Sequence, residues 1–401
     1  MLRVNLYFLI LVLFSFAPLL FGCLYAFDEG DPDAAQDDDT IYDDDAIDDD
    51  YWDDDLTDDD NDDDVIDDDT LDDDVSYEFF AAGIDTIKDN GFIWRRTTDS
   101  TEWIPDEVFP LVTEWTLANI SCHQSGVCWA VGGGDTGAWV GLLLQYDGSN
   151  WFASPSPLLG GGWSLTDVTL NAADHGWAAG AFDSHLSVIL EWTGNCWQSV
   201  EVAWPYTPNG LNAIDASPDG AVAAVGYQDL NSSQRGFAVQ WDGAQWEIVN
   251  LPVIASAYSL RDVAVLEAGS AFAVGQTALV SHGVMFQWRG SVWREADLPL
   301  GEESYALTSI SDFDADHCVA AGYYLGSGLQ ILLIYENSNW TLAEVPMAGI
   351  PNSVFMISPQ EVLVGGQDFI HYILMGSSIQ AQVLPAANAL VKGFSAIACP
   401  N

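Results

Sequence analysis

Basic residues are scarce in this sequence. Two lysines and seven arginines stand against 61 acidic residues, so the formal net charge is −52. Proteins bind nucleic-acid phosphates and anionic lipid headgroups through basic surfaces. The composition therefore excludes nucleic acid as a ligand, and it excludes charge attraction to a membrane surface.

Motifs for catalysis and metal binding are also missing. The sequence has no G-x-S-x-G, no C-x-x-C and no arginine triad of the sialidase type. Nucleophilic hydrolysis and thiolate metal sites need such sets of residues. We therefore predict that the protein is not an enzyme and needs no cofactor or metal. Paired carboxylates cannot be singled out in so acidic a chain, so a glycosidase or lyase is the alternative.

The N-terminus has the layout of a secretory signal. Residues 1–22 combine Arg3 with a long apolar run and a small residue before Cys23. The segment Leu20-Phe21-Gly22-Cys23 resembles the lipobox of bacterial lipoproteins, which implies a signal peptide over 1–22 and a lipid such as palmitate on Cys23. An uncleaved membrane anchor and ordinary secretion are the alternatives. All three place the rest of the chain outside the cytoplasm.

An acidic tract follows. Residues 28–74 hold 28 acidic residues, mostly as Asp triplets separated by one to three other residues. Carboxylates this close repel one another, and the residues between them are too few to form a core. We interpret 23–78 as a lipidated Cys with a disordered, hydrated tether, as in similar bacterial surface lipoproteins. The alternative is Ca²⁺ capture, but the triplets lack the turn glycine and spaced ligands of a Ca²⁺ loop.

The rest of the chain is repetitive. Five similar segments recur every 46 to 49 residues. They are QYDGSNW, EWTGNCW, QWDGAQW, QWRGSVW and IYENSNW, and they end at Trp151, Trp197, Trp246, Trp293 and Trp340. A glycine after small residues, as in WAVG at Gly132, precedes each segment. FAAG at Gly83 and VLVG at Gly365 extend the pattern to seven units.

Each unit alternates short β-rich runs with turn residues, which indicates four strands and no helix. Four strands per unit of this length are typical of a β-propeller blade. The N-terminal unit begins at its second strand, and ALVKGFSAIACPN matches the first strand of another unit. We therefore predict an all-β, seven-bladed propeller of four-stranded blades over 79–401, with a ring closed by the N- and C-terminal strands.

The repeats resemble those of extracytoplasmic bacterial propellers that carry a C-x-x-x-x-x-C-W-A-V-G pattern, here Cys122 to Gly132. The resemblance implies a fold and not a function, since propellers have many activities. We expect a binding or scaffold module for a glycan or a protein, located in the cell envelope at the outer membrane or cell surface. A catalytic propeller and a structural component of an envelope assembly are the alternatives.

The remaining cysteines and one acidic run have simple interpretations. Cys122 and Cys128 flank a turn between two strands, which predicts a disulfide. Three more cysteines of the repetitive part are expected to be small buried residues, namely Cys196, Cys318 and Cys399. The run from Asp312 to His317 is interpreted as a solvated turn, because it lacks the spacing of a Ca²⁺ loop.

Two sets of loops are candidates for ligand binding, because propeller loops that emerge on one face share the channel mouth. Four aromatic residues precede first strands and could stack on sugar rings, although filling gaps between blades is the alternative. They are Trp115, Trp163, Tyr258 and Tyr305. The loops between second and third strands add Asp135, Trp139, Asp183, His185, Asp229, Arg235, Tyr323 and Asp368.

Overall fold

The computed structural model describes residues 76–398 apart from short gaps. The gaps are residues 101, 158, 184–185, 203, 205–207, 231–232, 255–256, 279–281, 367–368, 376–377 and 385–388. The chain divides into two units between Asp73 and Asp74, and every described residue belongs to the second. The predicted signal, Cys23 and the acidic tether lie outside the described residues.

The described residues form strands joined by turns and loops. The first fifteen are β1 (Tyr77–Asp85), β2 (Asn90–Thr97), β3 (Ile104–Pro105), β4 (Val108–Phe109), β5 (Trp115–Cys122), β6 (Cys128–Asp135), β7 (Trp139–Tyr146), β8 (Trp151–Ala153), β9 (Trp163–Ala172), β10 (His175–Phe182), β11 (Ser187–Trp192), β12 (Trp197–Ser199), β13 (Pro208–Ala216), β14 (Val222–Leu230) and β15 (Ser233–Trp241). The rest are β16 (Trp246–Ile248), β17 (Tyr258–Glu267), β18 (Ser270–Thr277), β19 (Gly283–Arg289), β20 (Val292–Glu295), β21 (Tyr305–Asp312), β22 (Cys318–Tyr324), β23 (Leu329–Glu336), β24 (Asn339–Ala348), β25 (Ser353–Ser358), β26 (Glu361–Gly365), β27 (Phe369–Met375), β28 (Ser378–Leu384) and β29 (Ala389–Ala398). This part of the chain has no helix of the length and hydropathy that a bilayer crossing requires.

The strands form a propeller, but the predicted seven four-stranded blades are wrong. Six sheets have four strands, and the sheet β4-β8-β7-β6-β5 has five. Its extra strand, β4, pairs with β8 in parallel over two residues. The repeat pattern could not show this strand, because two residues at the edge of a sheet have no periodicity. We call the sheet β4-β8-β7-β6-β5 the five-stranded sheet.

The closing sheet, β29-β1-β2-β3, joins the two ends of the described chain. Strand β29 pairs with β1 in antiparallel register, from Tyr77 opposite Ala398 to Asp85 opposite Ala389. Phe394 and Val391 of β29 are buried. The predicted closure of the ring by terminal strands is therefore confirmed.

A β-bulge in the first strand explains the glycine that ends six of the seven WAVG-like segments. In sheet β17–β20 the register between β17 and β18 shifts at Arg261, between Leu260 and Asp262. A Cβ on Gly275 would collide with the backbone oxygen of Ser259 just before this bulge. A residue without a side chain is needed where two backbones approach this closely. Gly83, Gly132, Gly180, Gly226 and Gly322 each meet a first-strand carbonyl in the same way.

Aromatic contacts fill the space between neighbouring sheets. Trp197, at the start of β12, is edge-on to Trp129 of β6, with ring centroids 5.2 Å apart. Trp246 meets Trp177 in the same geometry at 5.2 Å. In the four units whose WAVG-like segment begins with an aromatic residue, this residue therefore packs against the fourth-strand Trp of the next unit. These edge-to-face pairs add to the apolar area that the sheets bury together.

Candidate ligand-binding face and central channel

Exposed aliphatic side chains concentrate on one face of the propeller. We define the loop face by the loops between second and third strands and the connections that lead to the next first strand. In antiparallel four-stranded sheets these segments emerge at the same end. Among the described residues, the exposed large aliphatic side chains of this face are Ile87, Leu111, Leu186, Val253, Leu325, Leu329 and Ile350. The turns of the opposite face expose only Val292 and Phe313 as large apolar side chains in the same part of the chain.

The four aromatic residues that precede first strands are buried. Trp163 is 1% exposed and Trp115, the most exposed with Tyr305, is 8% exposed. Each ring occupies the place where a Cβ would stand on a third-strand glycine of the preceding sheet, as with Trp163 over Gly141 and Tyr258 over Gly236. This burial fits a packing role, whereas stacking on a sugar needs an open ring face.

Burial also changes the chemistry of two of these rings. Burial raises the pKa of Tyr258 to about 12, partly offset by the positive field of Arg235. The Tyr258 hydroxyl donates a hydrogen bond to the backbone oxygen of Pro252 at 3.1 Å. Burial likewise raises the pKa of Tyr305. Both phenols are therefore neutral packing groups at physiological pH.

The other predicted ligand residues are spread over several sheets. Trp139 and Tyr323 are half-buried, while Asp135, Asp183, Asp229 and Arg235 are exposed. The Asp135 carboxylate accepts the backbone N–H of Gly137 at 2.7 Å and so stabilises its own turn. His185 and Asp368 lie outside the described residues. The structure places these side chains around the loop face, in four different sheets, and does not gather them into one cluster.

The first strands surround a central channel with a cavity of about 640 Å³. Six of these strands have a bulge whose residue lines this cavity. We call these six residues the bulge ring. They are Ala118, Thr166, Asn212, Arg261, Thr308 and Lys392.

Buried carboxylates join neighbouring first strands beside the bulge ring. Asp167 accepts the backbone N–H of Ile214 at 2.8 Å and a hydrogen bond from the Asn119 amide. Asp215 accepts the backbone N–H of Val265 at 2.7 Å. Their oxygens therefore serve backbone donors of the next sheet, which is a structural use of a carboxylate.

The acidic groups of the channel have raised pKa values. Burial raises the pKa of Asp262 to about 6, although N–H and hydroxyl donors favour its charged form. Burial and then the negative field of Asp215 raise the pKa of Asp312 to about 8. Among the described residues, no group of three or more His, Cys, Asp or Glu side chains is arranged to hold a metal ion.

The cysteines partly follow the prediction. The Cys122–Cys128 disulfide is confirmed, with Cα atoms 4.0 Å apart at the ends of β5 and β6. Cys318 is a free, buried thiol, as predicted. The prediction for Cys196 is wrong: it is half-buried and disulfide-bonded, with a partner outside the described residues. The position of Cys196 in a turn gave no indication that it would have a disulfide partner. Cys399 also lies outside the described residues.

The run from Asp312 to His317 forms a turn between β21 and β22. The Asp314 carboxylate accepts the backbone N–H groups of Asp316 and His317, both at 2.8 Å. It also contacts the His317 ring nitrogen Nδ1 at 2.9 Å. The carboxylate thus stabilises the local backbone, as Asx turns do.

Comparisons with known proteins show the fold. No protein-family model matches the chain, and no curated sequence matches it significantly. A protein from Lactobacillus plantarum is 10% identical, with a TM-score of 0.57 over 81% of this chain and 100% of that one. A candidate 6-phosphogluconolactonase from Bacteroides uniformis is 12% identical, with a TM-score of 0.54 over 80% and 99%. YCF48 bound to D1 peptide is 16% identical, with a TM-score of 0.51 over 74% and 94%.

At these identities the likenesses show a β-propeller and leave the ligand open. Two features of the site escaped the sequence analysis. The exposed aliphatic residues of the loop face are scattered singly through connections of unequal length. The bulge ring could have been found, because each member except Lys392 directly follows a Leu that opens the inner part of a first strand, as in Leu260-Arg261.

Proposed function

We propose that the chain is a membrane-tethered, extracytoplasmic binding module that holds a protein partner on its loop face. The observation that carries this proposal is the set of exposed aliphatic side chains on that face. Leu111 is 86% exposed and Val253 is 81% exposed. Covering these side chains with another protein would remove their apolar surface from water, which favours association.

The exposed side chains of the loop face are better suited to binding a protein than to binding a glycan. Sugar binding relies on open aromatic faces, and Trp115, Trp163, Tyr258 and Tyr305 are buried. The exposed acidic residues Asp135, Asp183 and Asp229 are also on the loop face and would form a polar rim. The partner should therefore present apolar residues bordered by basic ones. YCF48, which shares the fold, is bound to a peptide, and this supports a peptide-binding role.

The anchoring part of the proposal rests on the N-terminal sequence. A lipid on Cys23 would attach the chain to the membrane, and the acidic residues 28–74 would hold the propeller away from it. Self-repulsion extends such a segment without a fold. The partner would then be another component of the envelope or its surroundings.

Site-specific photocrosslinking tests the binding face in the native envelope. A photoreactive residue at position 111 or 253 should give a defined crosslinked protein, and the same residue at Val292 on the opposite face should not. Introducing Leu325→Asp and Ile350→Asp together should abolish the crosslink, because two charges would have to be buried in the interface. Equal crosslinking from both faces, or none from either, would reject the loop face as the binding surface.

A glycan array serves as the second arm. Specific glycan binding that survives the Leu325→Asp and Ile350→Asp changes would support the glycan alternative and contradict the protein-binding proposal.

A further inference from the structure

Two of the six residues of the bulge ring are cationic. Arg261 and Lys392 line the central cavity, although residues 75–401 hold only eight basic residues in all. In six of the first strands a bulge turns its residue toward the channel. A quarter of the basic side chains of the propeller therefore line a single cavity.

Neither cation is paired with any of the four carboxylates that line the same cavity, which are Asp167, Asp215, Asp262 and Asp312. Among the described residues, Arg261 and Lys392 have no ion pair and no side-chain hydrogen bond. Arg95 contrasts with them, because its guanidinium lies 2.8 Å from the Asp106 carboxylate and 3.2 Å from that of Glu78. In so acidic a chain, two cations without a carboxylate partner are an unusual arrangement.

The neighbouring carboxylate of Asp262 is engaged elsewhere. It accepts the backbone N–H of Val263 at 2.9 Å, and its second oxygen accepts two donors from the next sheet. Burial, and then the positive charge of Arg261, lower the pKa of Lys392. Two like charges that oppose each other in a cavity are unfavourable until an anion joins them.

Each neutral polar member of the ring already donates a hydrogen bond within the protein, although Asn212 keeps a second amide N–H. The Thr166 hydroxyl donates to backbone oxygens, including that of Leu211 at 2.9 Å. The Asn212 amide donates to the Leu260 oxygen at 2.6 Å, and the Thr308 hydroxyl lies 3.2 Å from the Ala321 oxygen. Among these ring members, the guanidinium of Arg261 and the ammonium of Lys392 retain free, charged N–H donors. Such donors select oxygen atoms that carry negative charge.

We propose that the bulge ring binds a small oxyanion, a carboxylate or a phosphate, between Arg261 and Lys392 in the central channel. The cavity of about 640 Å³ is of the size usual for a small-molecule site. The site is distinct from the loop-face interface, and it does not depend on the proposed function. Anion binding can therefore fail or succeed whatever the protein partner.

Isothermal titration calorimetry of the full-length protein tests the site at low salt. The probes are citrate for carboxylate and inorganic phosphate for phosphate. The wild type should bind at least one of them with a stoichiometry of one, and the affinity should fall with added NaCl. Arg261→Gln and Lys392→Gln should each weaken binding by at least tenfold, since each removes half of the charge. The probe that binds identifies which of the two oxyanions the site prefers.

Two controls keep the test decisive. Arg289→Gln removes an exposed charge outside the channel and should leave the affinity unchanged. Lys392→Arg keeps the charge and should retain binding, while the unliganded Arg261→Gln protein should melt at the same or a higher temperature because a repulsion is gone. No binding of either probe, or equal weakening by Arg289→Gln, would overturn the proposal.

Discussion

The carboxylate of Asp262 accepts the backbone N–H of Ile310, 2.9 Å away in the next sheet. The same oxygen accepts the Ser309 hydroxyl at 2.7 Å, and Ser309 in turn accepts the backbone N–H of Val354 in the sheet beyond. Side chains thus link successive first strands that have no backbone pairing with one another. Each link satisfies an N–H group that would otherwise be buried without an acceptor.

Removal of one link should be costly. Asp262→Ala leaves the Ile310 N–H without its acceptor, and we expect a loss of about 1–3 kcal/mol in the free energy of unfolding. Urea denaturation followed by circular dichroism measures the loss. Glu267→Ala, at the exposed end of the same strand, should change stability little. A loss as small as that of Glu267→Ala would show that the links between strands contribute no stability.

The bulge glycines should tolerate no side chain. Gly275→Ala places a methyl group against the Ser259 carbonyl, which must move, so we expect a loss of about 1–3 kcal/mol. Gly301→Ala is the matched control, because nothing stands within 4 Å of its Cβ. Thermal melting should separate the two variants by several degrees. Equal melting temperatures would show that the bulge is not the reason for the glycine.

The free energy of unfolding should fall as the pH rises, because the pKa of Asp312 is higher in the folded protein than in the unfolded chain. Its pKa is about 8 when folded and about 4 when unfolded, so its contribution is full below pH 4 and is lost as the pH rises through about 8. Asp312→Asn should therefore melt like the wild type at pH 4 and at a higher temperature at pH 8. Asp316→Asn, an exposed change in the same turn, is the control. A parallel pH profile for wild type and Asp312→Asn would contradict this assignment.

Truncation before β29 should open the ring. A chain that ends at Pro385 loses the buried side chains of Val391, Phe394 and Ile397, each contributing roughly 1.5–3 kcal/mol when fully buried. It also leaves β1 with an unpaired edge. Calorimetry should show a broad transition at a much lower temperature. A chain that lacks residues 28–74 instead should melt like the full protein.

The proposed lipid anchor makes a prediction about the second disulfide. A lipid thioether on Cys23 consumes its thiol, so Cys23 cannot also be the partner of Cys196. Since Cys318 is free and Cys122 is paired with Cys128, peptide mapping without reduction should then find Cys196 joined to Cys399. Mass spectrometry of the mature N-terminus gives the complementary result. A peptide pair containing both Cys23 and Cys196 would exclude the lipid.

The regular part of the fold could be predicted because it repeats. The spacing of Trp151, Trp197 and the later equivalents reports the period of the units, and Cys122 with Cys128 reports a turn. What these residues contact was harder to predict. Trp197 meets Trp192 within its own hairpin, and it also fills the gap beside Trp129 in the neighbouring sheet. Contacts between different units produce no periodic pattern in a single sequence, so the sequence does not reveal them.

Local irregularities escaped prediction for a similar reason. Strand β4 is two residues long, and its Phe109 ring stacks on the ring of Phe152 in β8, which is far away in the sequence. The direction of a bulge residue depends on a shift in register that hydrophobic alternation does not show. Arg261 and Lys392 therefore looked like scattered charges, and the aromatic residues before first strands looked available to a ligand.

The pairing of β1 with β29 sets an order of events for biosynthesis. Because β29 is the last of the described strands, β1 lacks its inner neighbour until the other strands of the propeller have been synthesised. Contacts between such distant segments are slow to form, since the entropy of closing a long loop opposes them. An incomplete chain keeps an open strand edge that chaperones and proteases can recognise. The propeller thus closes its ring only after its last described strand has been synthesised.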